Sequence, residues 1–342
     1  MGDHSAISWT DATWNPVTGC SKVSPGCQHC YAERLSHRYG WTRTPWTAPH
    51  AAVNVVCHPD RLLTPGRWAR PRQIFVNSMS DLFHDQVPDA FLDQVFMAMA
   101  LCYEPQSFDK TRPPVDYRPR HIFQVLTKRP RRLRIYLTAL GARASTVSPD
   151  PLTPWAAESL RLAERLGWPV PSNAPDRAQQ WVRDGFPGLW VGVSVEDQRR
   201  ADERIPELLR SPGDVHFLSC EPLLGPVDLS AFSPFCGECL CQESLTGCRP
   251  RAVGGCPRTG IDWVIAGAES GRGARPMDDA WVRSLRNACR DAGVAFFFKQ
   301  RAQQGRKQIH PDLDGQVWEE TPDPLWTVRP ALTAERPPAA RR

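Results

Sequence analysis

No apolar run in these 342 residues reaches the length of a membrane span, which excludes a chain threaded through a bilayer by helices. The opening MGDHSAISWTDATW lacks a basic start followed by an apolar stretch, so no signal peptide is expected and the cytoplasm is the expected compartment. Charge of one sign is also scarce. Lys and Arg number 42 against 37 Asp and Glu, a formal net charge of +5. That balance permits nucleic-acid binding without arguing for it, and an ordinary solvated surface is the favoured explanation. No internal repeat is present.

What the chain does have is cysteine, twelve in all, and enough hydrophobic residues (41%) for a sizeable core. In a reducing compartment cysteines read as thiols or metal ligands rather than disulfides. Six apolar runs read as buried strands: IFVNSM (74–79), HIFQVL (121–126), LWVGVS (189–194), VHFLSC (215–220), DWVIAG (262–267) and VAFFFK (294–299). They are continuous rather than alternating, as in strands covered on both faces. A further strand is expected near AISWT. Helical patterns lie between, in PDAFLDQVFMAMALC, EDQRRADERIPELLR and DDAWVRSLRNACRDAG, the last stopping at Gly293.

Strand alternating with helix predicts an α/β chain with parallel strands and right-handed crossovers. Six to seven units favour a full or partial (β/α) barrel, whose chemistry gathers at the C-terminal strand ends. Those ends are polar in every case: Asn77, Ser78, Ser80 and Asp81; Thr127, Lys128 and Arg129; Ser194, Glu196 and Asp197; Cys220 and Glu221; Glu269 and Ser270; Lys299 and Gln300. The barrel domain is expected over 1–310. It carries a helical, Pro-rich insertion at about 141–187 and a Cys-rich one at 233–260. A C-terminal extension, 311–342, is expected to end in disorder.

Cys20, Cys27 and Cys30 follow the spacing C-x6-C-x2-C within a turning loop made by Gly19, Pro25 and Gly26. Three thiolates can hold three irons of a 4Fe–4S cluster and leave the fourth iron open. They can equally form a zinc site completed by His29 or His37, or stay unligated; spacing alone leaves all three open. Lys128, Arg129, Arg272, Arg275, Lys299 and Gln300 could form a substrate-binding rim for phosphate or carboxylate. Cys236, Cys239, Cys241, Cys248 and Cys256 are too dense for chance. Four of them suit a structural zinc site or an auxiliary iron–sulfur cluster.

The three-cysteine loop after the first strand resembles that of the radical S-adenosylmethionine (SAM) superfamily, which has a partial (β/α)6 TIM-type barrel. The common spacing there is C-x3-C-x2-C, and this chain departs from it in the first gap. The strings WTDATWNPVTGC, FVNSMSDLFH, LTKRP, VGVSVEDQ, LSCEPLLGPVDL, ESGRGARPM and FFFKQ resemble more closely a bacteriophage and prophage family of unassigned activity. That family is itself similar to radical SAM proteins, spore photoproduct lyase-like members included.

The resemblance implies a 4Fe–4S cluster on Cys20, Cys27 and Cys30 that cleaves bound SAM to a 5′-deoxyadenosyl radical. It also implies an electron donor such as a flavodoxin or ferredoxin. On the same basis Asn77, Ser78, Ser80 or Asp81 would meet the SAM amino group. Ser194 or Glu196 would hold its ribose, and Arg204 its carboxylate. Cys220, with Glu221 beside it, would supply a hydrogen atom, against the plainer reading of Cys220 as a small buried hydrophobe. The substrate is expected among nucleic acids or nucleotides. The competing expectation is a non-catalytic, zinc-stapled protein that binds nucleic acid or a protein partner.

Overall fold

The computed structural model describes residues 5–105, 117–145, 174–232, 260–271, 273–303 and 306–322, with isolated positions between 157 and 167. One eight-stranded sheet organises them. Its strands are β1 (Ala12–Trp14), β2 (Gln73–Val76), β3 (Ile122–Thr127), β4 (Leu189–Ser194), β5 (Val215–Cys220), β6 (Trp263–Gly267), β7 (Ala295–Gln303) and β8 (Arg306–Ile309). Spatial order follows chain order throughout. β1 to β7 are parallel, and β8 turns back antiparallel on β7.

Among the described residues, helices of eight residues or more accompany the strands: α1 (Tyr31–Arg38), α2 (Asp89–Ala100), α3 (Pro130–Ser145), α4 (Ala174–Arg183), α5 (Gln198–Leu209) and α6 (Asp279–Ala292). Local chemistry sets their ends. The Asp197 side chain caps α5 by accepting from the Arg200 N–H, and Asp278 caps α6 by accepting from Ala280. Gly293 stops α6 in the left-handed region at φ 66°, as its position predicts.

The continuous apolar runs are explained by two separate cores. Alternate strand residues such as Ile74, Val76, Val125, Val191, Val264 and Phe298 pack against Leu92, Leu133, Ile205, Leu285 and their neighbours on the helices. The intervening residues Phe75, Trp190, Phe217, Trp263, Ile265 and Phe297 pack on the opposite face with Trp9. Trp9 lies 4.8 Å from the Phe75 ring on β2 and 6.0 Å from Trp263 on β6. In a flat sheet those strands would stand about 19 Å apart. One indole can touch both only because the sheet curls into a half-barrel around it.

The expected first strand near AISWT is displaced: β1 starts at Ala12, and Trp9 plugs the concave face instead. Leu313 and Trp318, beyond the expected boundary at 310, are buried in the helix-side core. Residues 233–259, which include Cys236, Cys239, Cys241, Cys248 and Cys256, lie outside the described residues, as do Arg272 and 323–342. Among the described residues no helix is long and apolar enough to cross a membrane.

Candidate active site at the mouth of the half-barrel

The cysteine loop is laid over the C-terminal ends of the strands. After β1, Val17–Thr18 pairs with Val56–Cys57, and Gly19 passes so close to Asn54 that a Cβ would stand 1.8 Å from its carbonyl oxygen. Gly19 takes φ 81° and donates its N–H to Met79 O at 3.0 Å. The six residues between Cys20 and Cys27 give room for a single 3-10 turn, Pro25–Cys27, and Cys30 then stands at the start of α1. All three thiols are half-buried and free, and all three line one cavity of about 400 Å3. Among the described residues no three His, Cys, Asp or Glu side chains converge as ligands of one metal ion.

Three buried carboxylates clasp this loop. Glu196, beyond β4, accepts from the Ser24 hydroxyl and from Gly26 N at 3.3 Å, while Arg204 on α5 holds its other oxygen at 2.8 Å. Glu269, beyond β6, meets His29 Nδ1 at 2.9 Å and pairs with Arg275, which itself reaches Pro25 O at 3.0 Å. Asp81, beyond β2, accepts from Thr127 Oγ1 at 2.7 Å, Lys128 N at 3.0 Å and Arg129 Nη1 at 3.0 Å. Arg129 continues to Ser21 O at 3.1 Å and to Cys20 Sγ at 3.7 Å. Ser21 Oγ also meets His84 Nε2 at 2.8 Å.

These contacts keep the carboxylates charged. Burial pushes the Glu269 pKa up, but hydrogen bonds from Arg275 and His29 outweigh it and bring it down to about 2. Burial likewise works against Asp81 and Glu196. Arg129 wins for the first, and Lys128 with Arg204 for the second, so both are lowered. The thiols go the other way. Burial, aided by Asp81, raises Cys20 to about 12 against the pull of Arg129, and burial also raises Cys30. Cys27 adds to the rise at both. Such thiols give up their protons only to a cation that replaces them.

The rest of the cavity is polar at the rim and aromatic below. Asn77, at φ 62°, accepts from Val17 N at 3.3 Å through Oδ1, while its buried Nδ2 has no partner. The Ser78 hydroxyl exchanges hydrogen bonds with Asn15, and its carbonyl accepts from the Tyr31 hydroxyl. Lys128 Nζ donates to Ser194 Oγ at 2.9 Å. Lys299 Nζ lies 2.8 Å from each Glu221 oxygen. Gln300 donates to Ala268 O, and its buried Oε1 is left unpaired. Ile7, Trp9, Phe75 and Leu126 form the apolar wall.

Most of the residues expected from the sequence therefore meet: Cys20, Cys27, Cys30, Asn77, Ser78, Ser80, Asp81, Lys128, Arg129, Ser194, Glu221, Lys299 and Gln300 all line this cavity. Others do not. Cys220 is fully buried in the helix-side core, where its neighbour is Cys289, because alternation along β5 turns Ser219 to the cavity and Cys220 away. Arg204 and Glu196 are spent on each other. Arg275 serves the clasp rather than a rim. Sequence reasoning missed Trp9, Asn15 and Lys307. A lone asparagine and a hairpin lysine carry no periodic signal, and the expected strand around Trp9 gave no sign that its ring fills the concave face.

Fold and site together define a class: an α/β half-barrel with a thiol-lined cavity at the C-terminal ends of its parallel strands. The chain belongs to the family described as Protein of unknown function (DUF5131), whose model matches residues 4–322. No curated protein and no solved structure matches the chain.

Proposed function

We propose that this chain is an enzyme of the radical SAM type, with Cys20, Cys27 and Cys30 as ligands of a 4Fe–4S cluster and SAM bound in the adjoining cavity. One observation carries the reading: three thiols and six polar strand ends share a single cavity. The donor set fits. Three free thiols on one loop, all lining the same cavity, are the donors that a cluster with one open iron would take. When bound, cluster and SAM would supply the electron transfer and radical chemistry.

The chain's own residues would bind and orient. Asn77, Ser78 and Ser80 stand where the amino-acid end of SAM would be met, and Asn77 Nδ2 is a donor without a partner. Arg204 is committed to Glu196, so Lys128, whose ammonium donates to the Ser194 hydroxyl and also acts on Glu196, replaces it as the cation for a carboxylate. Glu221 and Lys299 could hold or move a proton at a substrate. Ile7, Trp9 and Phe75 give that space an apolar wall. An origin in phages or prophages, and an electron donor of the flavodoxin or ferredoxin kind, belong to the same proposal.

Anaerobic reconstitution with iron and sulfide tests it. The expected result is about four irons per chain, a reduced-cluster electron paramagnetic signal that changes on adding SAM, and release of 5′-deoxyadenosine. Cys27→Ala should lose all three. Stoichiometric zinc that iron does not displace, with no SAM cleavage, would instead establish a metal-stapled binding protein.

A further inference from the structure

Directly beyond the cysteine loop, α1 ends in two aromatic rings left in the open. Tyr39 is 58% exposed and Trp41 62%, yet they stack on each other with centroids 5.2 Å apart and planes 27° apart. Local chemistry builds the pair. Gly40, at φ 69°, reverses the chain, and Trp41 N donates to Ser36 O at 2.8 Å. Behind them Trp46 is buried, with its backbone N–H on Glu33 Oε1 at 2.8 Å and its indole N–H on Thr42 Oγ1 at 3.3 Å.

Its charge has one sign. From Arg34 to Pro59 the sequence contains no Asp or Glu. Arg38 holds its guanidinium 5.9 Å from the Tyr39 ring centroid, and Arg38 and Arg43 are both exposed. Stacked, exposed rings flanked by arginines, on a stretch of sequence without Asp or Glu, match a strand of unpaired bases on a phosphate backbone. A duplex hides its base faces and offers such rings nothing to stack on. At the other end of the same helix, Cys30 and Tyr31 line the cavity. Eight residues of helix place the two about 12 Å apart.

We propose that Tyr39, Trp41, Arg38 and Arg43 form a docking platform for single-stranded nucleic acid, which makes such a strand the substrate class of the cavity. That last step alone rests on the enzyme reading.

The test is fluorescence anisotropy of full-length protein, as isolated and after iron loading, with fluorescein-labelled dT15, rU15 and a 15-base-pair duplex. Single strands should bind more tightly than the duplex, and the dT and rU arms tell DNA from RNA. Affinity should fall with salt at a logarithmic slope of about −0.7 per phosphate contacted. Trp41→Ala should weaken binding about tenfold or more, Trp41→Phe much less, and Arg38→Ala or Arg43→Ala should each flatten the slope by about 0.7. Unchanged affinity in Trp41→Ala would overturn the proposal, as would equal binding of the duplex. So would a Trp41→Ala variant that changes only sedimentation, since the rings would then join two copies of the chain. Binding needs no iron. Failure to load iron with oligonucleotide binding intact would remove the enzyme reading and leave the platform.

Discussion

At the scale of single residues, burial decides which groups hold charge. His121 is almost fully buried beside β3, with Nε2 on Pro65 O at 3.0 Å. Burial brings its pKa down to about 4, and Arg120 and Arg72 add to the fall against the bond to Pro65. Its folded value thus lies below its unfolded one, near 6.5. As pH drops from 6.5 towards 4, the unfolded chain gains a proton that the folded chain refuses, so stability falls in that window. The loss attributable to His121 at pH 5 is on the order of 2 kcal/mol. His84, lowered to about 4 by burial and Arg129, acts in the same sense. Urea unfolding at pH 7.5 and pH 5 should show the loss, and His121→Gln should shrink it by roughly the same 2 kcal/mol. Equal losses in both proteins would reject the assignment.

At the scale of elements, the cysteine loop depends on a backbone fit. Gly19→Ala places a methyl against the Asn54 carbonyl in a left-handed backbone, and the carbonyl cannot retreat without opening the Val17–Thr18 pairing. A loss of roughly 3 kcal/mol or more is expected from thermal unfolding. Gly40→Ala, with nothing within 4 Å of the added carbon, should cost only its backbone strain, roughly 1 kcal/mol.

The apolar runs made β2 to β7 legible in the sequence, and the polar residues that follow each run pointed to the mouth. β1 was not legible, since three residues at a sheet edge make no run. Nor was the direction of Cys220 legible, because both faces of β5 are buried and each carries one polar residue, His216 or Ser219, so alternation does not tell them apart. The pair Glu221 and Lys299 joins strand ends 78 positions apart. Spacing along the chain holds no record of it.

At the scale of the whole molecule, the curl of the sheet rests on its inner aromatic cluster. Trp9 touches Phe75, Phe217 and Trp263, which come from β2, β5 and β6. Trp9→Ala should cost about 3–5 kcal/mol in unfolding free energy and loosen the cavity wall above it. A melting temperature within a degree of wild type would show that the curl is held elsewhere. The clasps also order events in time. His29 pairs with Glu269, 240 positions later, and Pro25 with Arg275, 250 positions later. A ribosome adding 5–20 residues per second takes roughly 12–50 s to cover that distance. For that interval the nascent chain carries three thiols whose housing has not yet been synthesised, so the site is among the first parts made and the last completed.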